Sequence, residues 1–173
     1  MSILPRFTLA DAESAHDAWG ANCGPAALAV VTGKTLDEVR PLLGDFEARC
    51  YMNPTAMEAA LRLAAVAWSD HGPRDWPSRF GIVRIQWEGP WTAPGVPIRV
   101  RYRHTHWIAA AKLGSGIGIF DINAMANGTG WCALADWERV IVPFILDNAV
   151  PRASGGWHRT HVFEVEQPSG IAT

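Results

Sequence analysis

The sequence predicts an α+β fold in which an N-terminal helical layer packs on a mostly antiparallel sheet. Capping patterns and apolar residues at helical spacing are found up to about residue 65, whereas β-branched and alternating segments dominate after residue 80. Between them, residues 69–78 are rich in Pro, Gly and charge, which predicts a loop. We find no internal repeat or second boundary, so residues 1–173 are expected to form one domain.

Three helices are predicted in the first part of the chain. The first runs from about Cys23 to Thr32, because Pro25 suits a first helical turn and Gly33 suits the residue after a helix. The second begins with the capping-box pattern at residues 35–38, and the third with the same pattern at residues 55–58. The lead-in at residues 1–18 carries no clear structural signal.

Alternation and β-branching predict the sheet that follows. Two of its strands form an antiparallel hairpin around the turn Gly114–Gly116, and the last strand is expected at a sheet edge. The predicted strands are 81–87, 98–103, 104–111, 117–123 and 159–165, with a short helix at 133–144.

Composition and charge narrow the range of functions. A net charge of -2 argues against general binding to nucleic acid or to anionic membranes, which require a basic excess. We see no signal peptide and no membrane-spanning segment. Cys23, Cys50 and Cys132 are odd in number and widely spaced, so a disulfide framework is not expected. The sequence therefore favours a reducing cytoplasm, and it does not identify the host cell.

Cys23 is the first residue whose side chain suggests a role in chemistry. It would lie at the N-terminus of the predicted apolar helix, where the helix dipole favours a thiolate. A lone cysteine more often behaves as a small buried hydrophobic residue, so its role depends on what lies near it in the fold.

The predicted hairpin supplies partners for this thiol. His106 lies on its first arm and Asp121 on its second arm, 15 positions later, within cross-strand reach. Asn123 faces the same side as Asp121, so His106 has two possible orienting partners. A nucleophilic thiolate, an imidazole that moves the proton and a group that orients the imidazole are what nucleophilic catalysis requires.

These segments resemble the papain-like cysteine peptidase superfamily, and most closely the double-glycine (bacteriocin-processing) peptidase domains. The likeness rests on Asn22–Leu28 opening a helix, His106–Ile108 on a strand and Phe120–Asn123 on its return, in that order. It spans the chain from about Trp19 to Trp137. It implies a papain-like fold and hydrolysis or acyl transfer at an amide or ester carbonyl, with Cys23, His106 and Asp121 as the triad.

The chain departs from this family at one position. In the family a glutamine six residues before the cysteine donates to the oxyanion, and here that position is Asp17. An ionised carboxylate cannot donate, and losing one such donor typically costs about 100- to 1000-fold in turnover. The side chains that could substitute for it are those of His16, Trp19, Asn22 and Gln86.

The remaining candidates concern metals and the substrate groove. His104 and His106 could hold zinc with Asp121 or Cys23, but a fourth ligand is not evident, so no metal and no cofactor are expected. Trp87, Trp91 and Trp107 are candidates for lining a substrate groove, although core packing is the commoner role of tryptophan.

The leading expectation is a cysteine hydrolase, a peptidase or amidase, acting on a peptide or protein substrate through a thioester. Two alternatives stay open. One is a binding or assembly protein that keeps this fold without turnover, which Asp17 supports. The other is an acyltransferase, because the same triad serves transfer to an acceptor other than water.

Overall fold

A computed structural model describes residues 4–166 of the chain. In chain order, the helices are α1 (Leu9–Trp19), α2 (Cys23–Thr32), α3 (Leu36–Val39), α4 (Phe46–Arg49), α5 (Pro54–Leu63), α6 (Ile98–Arg101), α7 (Leu134–Asp136) and α8 (Val142–Ala149). Short 3₁₀ turns cover Arg40–Leu42, Pro90–Thr92 and Ile122–Asn127, and a π-helical turn, Trp137–Ile141, joins α7 to α8.

Within residues 4–166, the strands form a single antiparallel sheet. They are β1 (Trp68–Asp70), β2 (Phe80–Trp87), β3 (Thr105–Leu113), β4 (Gly116–Phe120), β5 (Trp131–Ala133) and β6 (Trp157–Val165). Their order across the six-stranded sheet is β1-β6-β2-β3-β4-β5. The mixed helix and antiparallel-sheet architecture confirms the α+β class.

Both faces of the sheet are covered, and each has its own hydrophobic core. On the face that we call the cysteine face, α2 packs mainly on β3, and its core includes Leu28, Ala109 and Phe163. On the opposite face, Trp137 and Ile145 pack against the sheet in a second core. Its sheet residues include Ile85, Ile108 and Ile119, which are fully buried. The predicted helix at 133–144 exists as α7, the π-helical turn and α8, and it closes this second face.

The central helix α2 is defined by local signals at both ends. The side chain of Asn22 accepts a hydrogen bond from the Gly24 N–H at 3.2 Å, which is an N-cap. Gly33 ends the helix in the left-handed conformation with a φ of 64°, which glycine adopts without steric cost. Between them every residue from Gly24 to Thr32 is buried. The prediction for this element is confirmed.

Two helices differ from the predictions. The lead-in contains α1, which begins with a capping box between Thr8 and Asp11. Helix α5 begins two residues earlier than expected, because Asn53 caps it by accepting from the Ala56 N–H at 2.8 Å, and Thr55 is not the cap.

Three predictions about the sheet are wrong. Residues 98–103, expected to be a strand, instead contain the short helix α6, because the prolines before it place this segment outside the ladder. The strand β1 lies within residues 68–70, at the start of the expected loop. The last strand is not at an edge, since β6 pairs with β1 on one side and β2 on the other.

No helix within residues 4–166 is long and apolar enough to cross a lipid bilayer.

Two leucines of α5 provide a matched test of the core. Leu61 is fully buried on the cysteine face, whereas Leu63 is 63% exposed. We expect Leu61→Ala to lower the free energy of unfolding by about 2–5 kcal/mol, because it leaves a cavity. Leu63→Ala should change it by no more than about 0.5 kcal/mol. Urea denaturation followed by circular dichroism measures both, and equal losses would contradict the packing described for α5.

Candidate active site

Cys23 is the first residue of α2, and its side chain is partly exposed. The thiol therefore lies at the positive end of the helix dipole, as the sequence predicts. Gly24 lets the next loop approach closely, because a Cβ there would lie only 3.0 Å from the Met52 Cβ.

The thiol reaches its partners at an open edge of β3. Strand β4 ends at Phe120, which is paired with Ala109, so the β3 residues before Ala109 have no strand on that side. The Trp107 N–H faces away from β2 by the alternation of the antiparallel ladder, and it hydrogen-bonds the Cys23 sulfur. The sulfur also hydrogen-bonds the His106 ring.

Asp121 holds His106 from the other side. Its Oδ2 lies 2.8 Å from the His106 Nε2, so Nε2 donates to the carboxylate and Nδ1 remains for the sulfur. The same oxygen accepts from the Trp137 Nε1 at 2.8 Å. Oδ1 accepts from both the backbone N–H and the side-chain amide of Asn123, each at 2.9 Å. Asn123 therefore orients Asp121 and is not a direct partner of His106.

The Trp87 ring supports the imidazole from within the opposite-face core. It stacks on His106 with the ring centroids 5.9 Å apart and an interplanar angle of 29°. The Trp137 ring stacks in turn on Trp87 at 6.1 Å. His106 is thus held by hydrogen bonds to Asp121 and to the Cys23 sulfur, and by the face of one ring.

Electrostatics favour an ion pair between the thiol and the imidazole. Burial alone would raise the pKa of Cys23, but the charge and hydrogen bond of His106 and the Trp107 N–H outweigh it, so this pKa is lowered. Burial alone would lower the pKa of His106, yet the charges of Asp121 and Cys23 raise it well above its usual value. Burial opposes the charge of Asp121 as well, but His106, Trp137 and Asn123 hold its pKa low.

The other two cysteines lack this environment. Burial, followed by the charges of Asp121 and Asp136, raises the pKa of Cys132 to about 11, so this thiol is protonated at neutral pH. Cys50 is exposed, and its backbone carbonyl accepts from the Asn22 side chain at 3.0 Å.

Two of the expected oxyanion donors are already engaged. The Gln86 amide nitrogen donates to the carbonyls of Trp87 and His104, each at 2.8 Å, which occupies both of its hydrogens. The Asn22 side chain caps α2 through its oxygen and bonds Cys50 through its nitrogen. Neither side chain is free to stabilise an oxyanion without breaking a structural hydrogen bond.

The remaining residues expected near the oxyanion lie on α1. Trp19 packs edge-on against Phe46 at 6.0 Å and beneath the Arg40 guanidinium, so it belongs to the core. Asp17 is exposed. His16 lies against the turn that leads into Cys23, where its Nδ1 donates to the Ala21 carbonyl at 3.0 Å.

Two of the three tryptophans proposed for a substrate groove are buried. Trp87 is 2% exposed beneath His106, and Trp107 is 3% exposed with its Nε1 donating to the Met52 carbonyl at 2.7 Å. Both are core residues and not groove residues. Trp91 is partly exposed and lies on His104 with the ring centroids 4.2 Å apart. Of the three tryptophans, only Trp91 has exposed side-chain surface beside the site.

One contact of the candidate site has no signal in the sequence. Trp137 donates to the Asp121 carboxylate from a helical segment on the opposite face, and nothing in its local sequence indicates this contact. Among residues 4–166, no group of three or more His, Cys, Asp or Glu side chains is arranged to hold a metal ion.

The ion pair makes a prediction about alkylation. We expect iodoacetamide to label Cys23 faster than Cys50 or Cys132, and to keep doing so as the pH falls below 8, because the lowered pKa preserves the thiolate. His106→Gln leaves burial to raise the Cys23 pKa, so labelling near pH 7 should slow by about tenfold or more. Peptide mass mapping measures each site, with Cys50 as the internal control. Equal rates at Cys23 and Cys50 in the wild-type protein would contradict the activated thiol.

Comparison with known proteins adds no assignment to this geometry. No protein-family model matches the chain, and no curated protein matches it significantly.

Proposed function

We propose that this protein is a cysteine hydrolase, a peptidase or amidase, with a papain-like fold. The single observation that carries the proposal is the connected set of Cys23 at a helix N-terminus, His106 hydrogen-bonded to its sulfur and Asp121 on the far ring nitrogen. These are the nucleophile, the proton carrier and the orienting group of nucleophilic catalysis. A nucleophile-bearing helix on an antiparallel sheet that carries the histidine also fits the resemblance noted in the sequence.

In the acylation half-reaction, the Cys23 thiolate attacks the substrate carbonyl carbon and forms a carbon–sulfur bond. The carbonyl electrons move onto oxygen, giving a tetrahedral oxyanion. His106 then gives its Nδ1 proton to the leaving amine, the carbon–nitrogen bond breaks and a thioester remains. Asp121 stabilises the imidazolium and fixes Nε2 as the other protonated nitrogen throughout.

In the deacylation half-reaction, neutral His106 removes a proton from water through Nδ1. The resulting hydroxide attacks the thioester, the carbon–sulfur bond breaks, and the acid product leaves. The thiolate and the imidazolium are then restored as an ion pair.

The oxyanion is the weaker part of this site. The backbone N–H of Cys23 at the start of α2 supplies one donor, and the helix dipole adds to it. Gln86 and Asn22 are committed to structural hydrogen bonds, and Asp17 is an exposed carboxylate in place of the family's glutamine. We therefore expect turnover well below that of a site with two donors, by about 100- to 1000-fold.

Asp17 also supports a second candidate, a binding or assembly protein that keeps the fold without turnover. The two candidates predict different chemistry at Cys23, because only an enzyme forms and resolves a thioester. For either, a peptide or protein ligand is our proposal, and the three unpaired cysteines support a reducing cytoplasm as its location.

An activated ester tests acylation without knowledge of the natural substrate. With p-nitrophenyl acetate, we expect a burst of one equivalent of p-nitrophenolate and a single acetyl group on Cys23, followed by slow release. Cys23→Ser should abolish the burst, whereas Cys50→Ser, a matched change at an exposed cysteine, should retain it. Stopped-flow absorbance and intact mass give both quantities. A burst that persists in Cys23→Ser, or the absence of a burst in the wild-type protein, would contradict the hydrolase proposal.

Added amines separate hydrolysis from acyl transfer. If water is the normal acceptor, glycine amide in millimolar excess should leave the rate of thioester decay and the acetate yield almost unchanged. Saturable diversion of the acetyl group to the amine would instead favour the acyltransferase reading.

A further inference from the structure

Arg84 is a buried cation close to the candidate active site. It lies on β2, is 2% exposed, and projects on the cysteine face with Gln86. Its Nη2 donates to the Tyr51 hydroxyl at 2.6 Å and to the Thr105 hydroxyl at 3.3 Å, and Nη1 reaches the Thr160 hydroxyl at 3.5 Å. Its Nε is buried and has no hydrogen-bond partner among the described residues.

All of these partners are neutral hydroxyl groups. Among residues 4–166 no carboxylate forms an ion pair with Arg84, although other arginines such as Arg40 and Arg62 do pair with glutamates. Asp70 and Glu58 act on His161, which is paired with Arg84 across the sheet, but neither contacts the guanidinium. A buried charge without a counter-ion is costly, so proteins rarely keep one without a use.

This cation lies one strand away from the reactive thiol. Arg84 is directly opposite Trp107 on β3, and the Trp107 N–H on the far edge of β3 bonds the Cys23 sulfur. The backbone of Arg84 is therefore one strand spacing, about 4.8 Å, from the strand whose far edge bonds the sulfur. Tyr51 covers Arg84, and the adjacent Met52 contacts Gly24 beside the nucleophile. The same short loop therefore borders both groups.

Three more arginines lie in the segment that includes Tyr102, the aromatic ring next to Arg84. Arg99, Arg101 and Arg103 lie in the segment that leads into His104 and His106, and none of them forms an ion pair among the described residues. Tyr102 lies between them, with its ring centroid 5.4 Å from the Arg84 guanidinium carbon. These arginines add positive charge to the segment that precedes His106, and positive charge attracts anions.

We propose that Arg84 is a substrate-binding residue that receives a carboxylate located a few bonds from the scissile carbonyl. The substrates are then acidic peptides or amides, with the carboxylate supplied by an aspartate or glutamate side chain or by a free C-terminus. This rests on the proposed function and names its substrate class. The guanidinium fork of Nε and Nη2 matches a carboxylate with two parallel donors; Nε has no partner, and the carboxylate takes the place of the Tyr51 hydroxyl on Nη2.

The alternative is that Arg84 has only a structural role and holds the loop containing Tyr51 against the sheet. The two readings differ in what they require. If the role of Arg84 is only structural, its hydrogen bonds to the hydroxyl groups are sufficient and a carboxylate on the reagent has no effect. If Arg84 binds substrate, Cys23 reacts faster with a reagent that carries a carboxylate.

Four chloroacetyl reagents distinguish these readings without any need for turnover. Chloroacetyl-glycine carries a terminal carboxylate and chloroacetyl-aspartic acid α-amide carries a side-chain carboxylate. Chloroacetyl-glycine amide and chloroacetyl-asparagine amide are their neutral counterparts. We expect at least one acidic reagent to alkylate Cys23 about tenfold faster than its neutral counterpart, as for one charge-assisted hydrogen bond. The acidic reagent that shows the preference identifies the source of the carboxylate.

Variants assign the preference to Arg84. Arg84→Gln should reduce the acidic-to-neutral rate ratio to about that of a reagent attracted by the remaining charges alone, while Arg84→Lys should retain part of it. Arg62→Gln, which removes an exposed arginine from α5, should leave the ratio unchanged and so controls for net charge. Thermal melting checks each variant. If Arg84→Gln does not fold, protection of wild-type Cys23 from the neutral reagents by N-acetyl-aspartic acid α-amide supplies the test.

The failures of the two proposals look different. If Cys23 reacts quickly with the neutral reagents but shows no acidic preference, or keeps it in Arg84→Gln, the substrate inference is overturned and the hydrolase proposal stands. If Cys23 reacts no faster than Cys50 with any reagent, the hydrolase proposal fails and the substrate inference falls with it.

Discussion

The buried carboxylate of Asp121 is the interaction on which the site depends. It is fully buried, and an ionised carboxylate in such a place is very unfavourable unless hydrogen bonds and a counter-charge compensate. His106, Trp137 and both donors of Asn123 supply that compensation. Its negative charge in turn favours protonation of His106, and the charged imidazole favours the Cys23 thiolate.

The same carboxylate joins the two layers of the protein. Asp121 follows β4, His106 lies on β3 and Trp137 belongs to the helical segment on the opposite face. Cys23 approaches from α2 on the cysteine face, around the edge of β3 that β4 leaves open. The site is therefore assembled where elements from both faces of the sheet meet, and disturbing either core should disturb the geometry of the thiol.

Local signals predicted the parts of the site that local structure determines. The cap at Asn22, the glycine at position 33 and the turn at Gly114–Gly116 are enough to place Cys23 on a helix end and His106 and Asp121 on a hairpin. The alternation of arginines at 98–103 wrongly predicted a strand, because alternation is also compatible with a short helix. The prolines before this segment favour the helix that is found there. The hydrogen bonds that commit Gln86, and the contact of Trp137 with Asp121, depend on tertiary packing and have no local signature.

A buried arginine is equally invisible in the sequence. Arg84 occupies a polar position within a strand whose residues are all buried, and only the register of β6, β2 and β3 shows that its cross-strand neighbours among the described residues, Trp107 and His161, are not carboxylates. Its neighbours are hydroxyl groups from three separate parts of the chain. Charge patterning along a strand could not have distinguished this environment from an ordinary solvated face.

Nitrogen-15 NMR of histidine-labelled protein tests the central claim most directly, because it reports the protonation of both ring nitrogens of His106. The account predicts that His106 is an imidazolium at neutral pH, that it loses its proton only well above the usual histidine range, and that Cys23→Ala lowers its pKa by removing the thiolate charge. A neutral His106 ring at pH 7 in the wild-type protein, with a titration that Cys23→Ala leaves unchanged, would contradict the ion pair and the mechanism built on it.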